Sequence, residues 1–557
     1  MADWSPRKGN VNIGFGTTET DSKTAAYPAT DPAGISRAQR AWDLSARLLS
    51  RYWFLVVAVW LCAVAVSFVG YSKQKPLWND ELLVRWVDTQ SSVWDIWSDL
   101  KLGICADPPL AHLVTHGLVS VLGSGATTLR LPSMVGECVT LLFLFLTLRR
   151  QIGPLYALLG LALPFCTLLP YYGYEARPYG LMYGCFAVAV YCWAKVGDDR
   201  SNRISWNVAL GIALTAALAC HFYSVFALPA FYLGEWVRSR RRHRISSWTL
   251  AAILIATASF GLYWPLIAAD HRYSNAFLKK PHLGSLLLVP EMVNESSHRL
   301  VIALFVFLAL VAIFSVLSFR FTSEIESNDE GRFRELTALA LGFLLLPLFA
   351  WCADVAVLHT FATRYVLHWL FGVFLALPLF AARVFKSDRS LGLALLVACG
   401  LPALAYVGQG AISNVRTPHY NDDFVLLEEA LPKLNGDIVV SDPLVFTQIV
   451  NYSPALKARC IHIWDRENEF KYTGQDEVSM GYPDLVRMGW FRGREWSDYP
   501  NRGGTFLFLT VPDSESDGAG WLRAYIEDAD RYGGVVMKVG RYVIVGVKPM
   551  DVGHAVP

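Results

Sequence analysis

Charge is scarce in this 557-residue chain: Asp, Glu, Lys and Arg make up 17% of it, well below the share of about 25% usual in soluble proteins. The 49 basic and 47 acidic residues nearly cancel, to +2, which removes the electrostatic case for a nucleic-acid partner. Metal-ligand spacing is missing as well. None of the ten cysteines forms a CxxC pair, and most (Cys62, Cys166, Cys185, Cys192, Cys399) sit in apolar runs, where a thiol behaves as a small hydrophobe. Cys105 and Cys460 lie outside those runs and are read as free. No GxGxxG, Walker loop, catalytic-triad spacing or internal repeat occurs. No cleavable signal peptide is read, because the first apolar run opens only at Trp53. What is abundant is apolar: 54% hydrophobic and 13% aromatic residues, with a mean hydropathy of +0.34. A soluble globular enzyme, a disordered scaffold and a disulfide-rich secreted module are excluded. A polytopic membrane protein with a soluble part remains.

Residues 1–50 read as a disordered cytoplasmic tail that ends in a basic stretch from Arg37 to Arg51. The first run, 53–71, is long enough to cross a hydrocarbon core of about 30 Å at 1.5 Å per residue. Further runs at 129–148, 154–173, 178–194, 205–220, 222–237, 245–268, 300–319, 336–353, 365–382 and 390–411 bring the expected spans to eleven. Basic residues fall in alternate loops: Arg149–Arg150, Lys195 to Arg203, the block Arg238–Arg244, Arg320 to Arg334, and Arg383 to Arg389. With the tail they define a cytoplasmic side, and the block 238–244 reads as an anchor on anionic lipid. The loops 72–128, 174–177, 269–299 and 354–364, and everything from 412 onward, then face outward. Segment 108–123 reads as a helix lying in or against the interface. Beyond about Asn414 the pattern becomes β-type runs at 437–442, 460–464, 505–511, 535–539 and 542–547. Helix-like stretches at 421–431, 443–451 and 519–531 alternate with them, so residues 412–557 predict an extracytoplasmic α/β domain.

Few charges lie on the outer face, and those few carry information. Asp80 and Glu81 open the first outer loop, where they also suit a helix N-terminus. Arg177 occupies the short outer loop Tyr174–Tyr179, and Arg364 stands at the start of the tenth run, before Tyr365. An arginine at the membrane boundary needs an anion or a snorkelling route. Two of them with a carboxylate pair at one depth suggest an anionic ligand and a general base. Glu137, inside the second run, either lines a cavity or bonds a neighbouring helix. Most of the aromatic residues near the outer face (Trp78, Trp86, Trp94 and Trp97 in the first outer loop, and Tyr171, Tyr172 and Tyr174) read as interfacial belt. Two sequons, Asn294-Glu295-Ser296 and Asn451-Tyr452-Ser453, matter only in a secretory-pathway host.

Asp-Glu after the first run, Asp107-Pro108-Pro109 in the same loop, Glu175-Ala176-Arg177-Pro178-Tyr179 before the fourth and Arg364-Tyr365-x-Leu367 late in the chain form one ordered set. In that order they resemble the GT-C membrane glycosyltransferases, in particular the protein O-mannosyltransferase and lipid A aminoarabinose transferase family. The resemblance covers about residues 50–411 and implies an eleven-helix GT-C domain over 51–411. It implies inverting transfer of a sugar from a polyprenyl-phosphate donor to an extracytoplasmic lipid, glycan or protein acceptor. It also carries the base role to Asp80, with Glu81 orienting Asp80 or the acceptor, and phosphate recognition to Arg177 and Arg364. Many relatives have His where this chain has Asp107, so Asp107 is a second acid or a cap on the acceptor side. Glu175, Tyr179 and Tyr365 complete the supporting set.

A leaving phosphate gains charge, so fixed cations must meet it in the transition state. Arg272, Lys279 and Lys280, with His271 and His282 nearby, are further candidates to cover it. No cofactor is called for, although a divalent cation stays open. The expected setting is a bacterial inner membrane, with membrane lipid and the lipid-linked donor as partners and no nucleic acid. Two rivals remain: a lipid or sugar transporter, and a non-catalytic subunit of polysaccharide assembly.

Overall fold

The apolar runs become helices because only a helix satisfies every backbone N–H and C=O internally in a hydrocarbon layer. The computed structural model describes residues 37–198, 202–271, 283–289, 328–358, 361–418, 422–474, 477–490, 492–511 and 520–550. Among them, seven helical segments are long and apolar enough to cross a membrane: Trp53–Gln74, Ala126–Ala157, Tyr179–Gly197, Ser247–Asp270, Glu330–Leu358, Thr363–Val384 and Arg389–Ser413. Three other expected runs are helical but shorter or broken. Residues 205–220 lie in the 16-residue helix Arg203–Leu218. Residues 222–237 form a 3₁₀ turn, Phe222–Ala227, followed by Leu228–Arg242. Residues 154–173 follow a turn at Gly153, which takes φ 75°, a value that favours glycine, and they are interrupted near Pro164 and Pro170. The run 300–319 lies outside the described residues.

Four helices stand at the start of the chain: α1 (Arg37–Arg51), α2 (Trp53–Gln74), α3 (Asn79–Asp88) and α4 (Val93–Lys101). α1 corrects part of the expected disorder: Ala46 is buried with Leu155 and Leu393, and the Trp42 indole N–H donates to the Ser390 carbonyl at 3.1 Å. α5 (Pro109–Leu122) is the expected helix of the first outer loop; at about 21 Å it is too short to cross. α6 (Ala126–Ala157) packs on the helix Tyr179–Asp198 so closely that a Cβ on Gly136 would lie 2.3 Å from the Gly180 carbonyl oxygen. Small residues at such a crossing let two backbones meet. At the end of the bundle away from Asp80 the basic block is partly internal. Arg238 and Arg241 both pair with buried Glu335, each at 2.9 Å, and Arg238 also reaches Glu235 at 3.1 Å. The block therefore acts first as a helix clamp, leaving Arg240 and Arg244 facing outward.

The C-terminal domain is a six-stranded sheet, β1 (Ile438–Val440), β2 (Cys460–Trp464), β3 (Gly493–Glu495), β4 (Phe506–Thr510), β5 (Tyr532–Val539) and β6 (Tyr542–Val547), in the order β3-β2-β1-β4-β6-β5. β3, β2, β1 and β4 run parallel, and the β6–β5 hairpin joins β4 antiparallel. β3, Gly-Arg-Glu at an edge, has no apolar signature and escaped the sequence pattern. The expected Asn451 sequon is folded in: Asn451 accepts from Arg85 at 2.5 Å, and Ser453 is fully buried.

Candidate active site

Three distant stretches bring their charges to one place. α3 opens with Asp80, the turn before Tyr179 carries Arg177, and the 3₁₀ segment Thr363–Trp369 carries Arg364. Asp80 Oδ2 lies 3.2 Å from Arg177 Nη1 and 3.7 Å from Arg364 Nη2. A second carboxylate stands behind the first: Asp107 Oδ2 is 3.9 Å from Arg177 Nη2, and its Oδ1 is 4.0 Å from His221 Nε2. Asp107 is 1% exposed, and neither oxygen takes a hydrogen bond. Burial raises its pKa from the ordinary carboxylate value, although Arg177 opposes this. Burial works against the Arg177 charge too, but Asp80 and Asp107 outweigh it and hold the guanidinium firmly protonated. His221 is driven the other way, by burial first and then by nearby cations, and stays neutral at pH 7.

These groups stand at a cavity of about 510 Å³. Asp80, Arg177, His221, Arg364 and Tyr365 line it together with Asp270 and His271, and Phe226, Phe260, Trp264, Ile267, Val357 and Leu358 supply its apolar lining. Val357 and Leu358 belong to a π-helical turn, Asp354–Leu358, a local irregularity frequent at functional sites. The cavity thus combines two guanidiniums, the carboxylates of Asp80 and Asp270 and a largely apolar lining.

Other expected site residues lie elsewhere. Glu81 faces away from the cavity: it is fully buried and pairs bidentately with Arg130, at 2.7 Å to Nε and 2.6 Å to Nη2. It also accepts from the Ala176 N–H at 2.7 Å. Of its two expected roles, orienting the acceptor is corrected: Glu81 is turned onto Arg130 and Ala176 and away from the cavity, because a helix sends adjacent side chains in different directions. Glu175 is likewise buried, paired with Lys75, whose ammonium lies 4.1 Å from the centre of the Tyr171 ring. It supports the turn that carries Arg177. Tyr179 is buried behind the cavity, its ring 5.3 Å from that of His221. Glu137 neither lines the cavity nor takes a hydrogen bond. Arg272, Lys279, Lys280 and His282 lie outside the described residues, whereas His271 lines the cavity.

Two site residues escaped the sequence analysis. His221 falls in the one-residue gap between the runs 205–220 and 222–237 and is not singled out by the sequence pattern. Arg130 did leave a signal, since it is an arginine at the outer end of a span, against the charge bias of the other loops. Among the described residues no cluster of three or more metal-ligating side chains occurs.

The fold and site define a polytopic α-helical membrane protein with a C-terminal α/β domain and an amphiphilic cavity at one end of its helix bundle. Residues 106–264 match the model of the dolichyl-phosphate-mannose-protein mannosyltransferase family. This stretch carries Asp107, Glu175 and Arg177 of the motifs quoted for the resemblance, and His221 as well. Among solved structures, the chain aligns with ArnT from Cupriavidus metallidurans bound to undecaprenyl phosphate at 12% identity and a TM-score of 0.42, covering 89% of this chain and 98% of that one. It aligns with the Archaeoglobus fulgidus oligosaccharyltransferase, tethered with an acceptor peptide, at 11% identity and a TM-score of 0.40, covering 88% and 73%. No curated protein matches the chain in sequence.

Proposed function

We propose that the chain is an inverting glycosyltransferase that moves a sugar from a polyprenyl-phosphate donor to a lipid, glycan or protein acceptor outside the membrane. The observation that carries this reading is the cavity, which joins two guanidiniums facing Asp80 to a largely apolar lining. A phosphate suits Arg177 and Arg364, because a guanidinium stays charged and can hold two oxygens at once. The matched family's description names a dolichyl-phosphate sugar, a donor of the same lipid-phosphate chemistry.

In this mechanism Asp80 takes the proton of the acceptor hydroxyl as its oxygen attacks the anomeric carbon on the face opposite the phosphate. The bond from that carbon to the phosphate oxygen breaks, and its electron pair stays on the phosphate. The new negative charge forms against Arg177 and Arg364, which lie in place before the reaction. The scheme needs no cofactor. A bacterial inner membrane, with the cavity and C-terminal domain outside, is the setting that fits an acceptor in the cell envelope.

Purified protein is to be incubated with a panel of polyprenyl-phosphate sugars while release of polyprenyl phosphate is followed. Release separates an enzyme from a transporter or a silent assembly subunit. Asp80→Asn is expected to cut turnover by about 10²–10⁴ with donor binding retained, since the arginines then lose a competing anion. Full activity in Asp80→Asn would move the base role to Asp107.

A further inference from the structure

We infer that the C-terminal domain acts on the site as a brace, with Tyr452 and Tyr482 as positioning residues that fix the start of α3 and with it Asp80. This inference rests on the reading of Asp80 as the general base.

The contacts between the domain and α3 converge on the residues flanking that carboxylate. The Leu77 N–H donates to the Tyr452 hydroxyl at 2.6 Å. The Tyr482 hydroxyl donates to Asn79 Oδ1 at 2.8 Å, and the Thr447 hydroxyl reaches the same oxygen at 3.3 Å. Nearly two turns further on, Arg85 donates to Asn451, and the Trp86 and Trp490 rings lie 5.2 Å apart. On the opposite side Glu81 is pinned to Arg130 in the membrane domain. The helix is thus held from two directions, and Asp80 sits between the holds.

Of its own at this end the helix has one long capping contact, the Trp78 N–H donating to Glu81 Oε2 at 3.4 Å. The first N–H groups of any helix lack intrahelical partners, and α3 has only ten residues. A side chain about 6 Å from a helix axis moves about 1 Å when the helix turns by about 10°. Misplacement on that scale is enough to cost a reaction up to about 10²-fold.

Neither tyrosine lines the cavity. Both rings are fixed within their own domain: Tyr452 stacks on Phe424 at 5.6 Å, and Tyr482 packs on His462 at 4.8 Å. Replacing both by phenylalanine removes the two hydroxyls and leaves this packing in place.

The test compares full-length wild type with Tyr452→Phe/Tyr482→Phe in two measurements. The first is hydrogen exchange across residues 77–88, with the sheet peptides of β1 and β2 as the internal control for folding. The second is steady-state release of polyprenyl phosphate. The brace requires exchange over 77–88 to rise about tenfold or more while the control peptides stay protected. It also requires kcat to fall about tenfold or more with the donor KM within about twofold. Unchanged exchange over 77–88 overturns the brace. Faster exchange with unchanged kcat overturns the link to Asp80. A wild type that releases no polyprenyl phosphate from any donor sinks the transferase reading, and the exchange result then still decides whether the domain holds α3.

Discussion

Glu81→Gln tests the division of labour between two adjacent carboxylates. Glu81 and Arg130 are both fully buried, with two nitrogen–oxygen contacts of 2.7 and 2.6 Å. Arg130 also donates to the carbonyls of Ser72 at 2.7 Å, Lys75 at 2.9 Å and Pro76 at 3.1 Å, so it cannot swing out to water without breaking the end of α2. Glutamine keeps the size and can still accept from Ala176. What it removes is the charge that balances Arg130. At an effective dielectric near 20, unit charges about 4 Å apart attract by about 4 kcal/mol, and stranding one member of a buried pair typically costs about 3–5 kcal/mol. The two routes agree. Denaturant unfolding of the solubilised protein is expected to show a loss of that size for Glu81→Gln. Glu81→Leu/Arg130→Leu is expected to lose less than the sum of its single variants, because no charge is left stranded. A loss under about 1 kcal/mol together with abolished turnover would refute this and return Glu81 to the chemistry.

Arg364→Ala and Arg177→Ala are each expected to weaken turnover by at least the 1.5–3 kcal/mol or so of a charge-assisted contact, with lysine restoring only part; wild-type activity in Arg364→Ala would remove it from the phosphate site. His112 and Asp88 form a second buried pair, 2.7 Å apart. Burial opposes the imidazolium, but Asp88 outweighs it and raises the His112 pKa above 6.5. The raised native value means that this pair's stabilisation is complete below about pH 6.5 and is lost as pH rises through the native pKa. Unfolding midpoints followed from mildly acidic to mildly basic pH are expected to fall in wild type, and His112→Asn is expected to lose that component of the slope. Membrane-impermeant thiol labelling of intact cells is expected to reach Asp528→Cys but not Arg244→Cys, and the reverse pattern overturns the orientation.

Much was written in composition and order. Charge scarcity and long apolar runs determine a membrane bundle, because hydrocarbon tolerates only internally satisfied backbone. The β-type runs after 412 likewise reveal a sheet wherever strands are buried and apolar; β3, an exposed polar edge, is the strand they miss. Asp80, Arg177 and Arg364 could be singled out because a charge at a membrane boundary is conspicuous against an apolar background. Pattern alone could not decide which of two neighbouring carboxylates faces the cavity. That depends on how α3 is rotated, and the Arg130 guanidinium, the Ala176 N–H and the hydroxyls of Tyr452 and Tyr482 hold that rotation from far along the chain. His221 shows the same limit: a lone histidine between two apolar runs acquires meaning only when the fold sets it 4.0 Å from Asp107. The basic block 238–244 reads as surface charge until Glu335 is found between its arginines. Sequence records which groups are costly to bury, and tertiary structure alone decides which partners meet them.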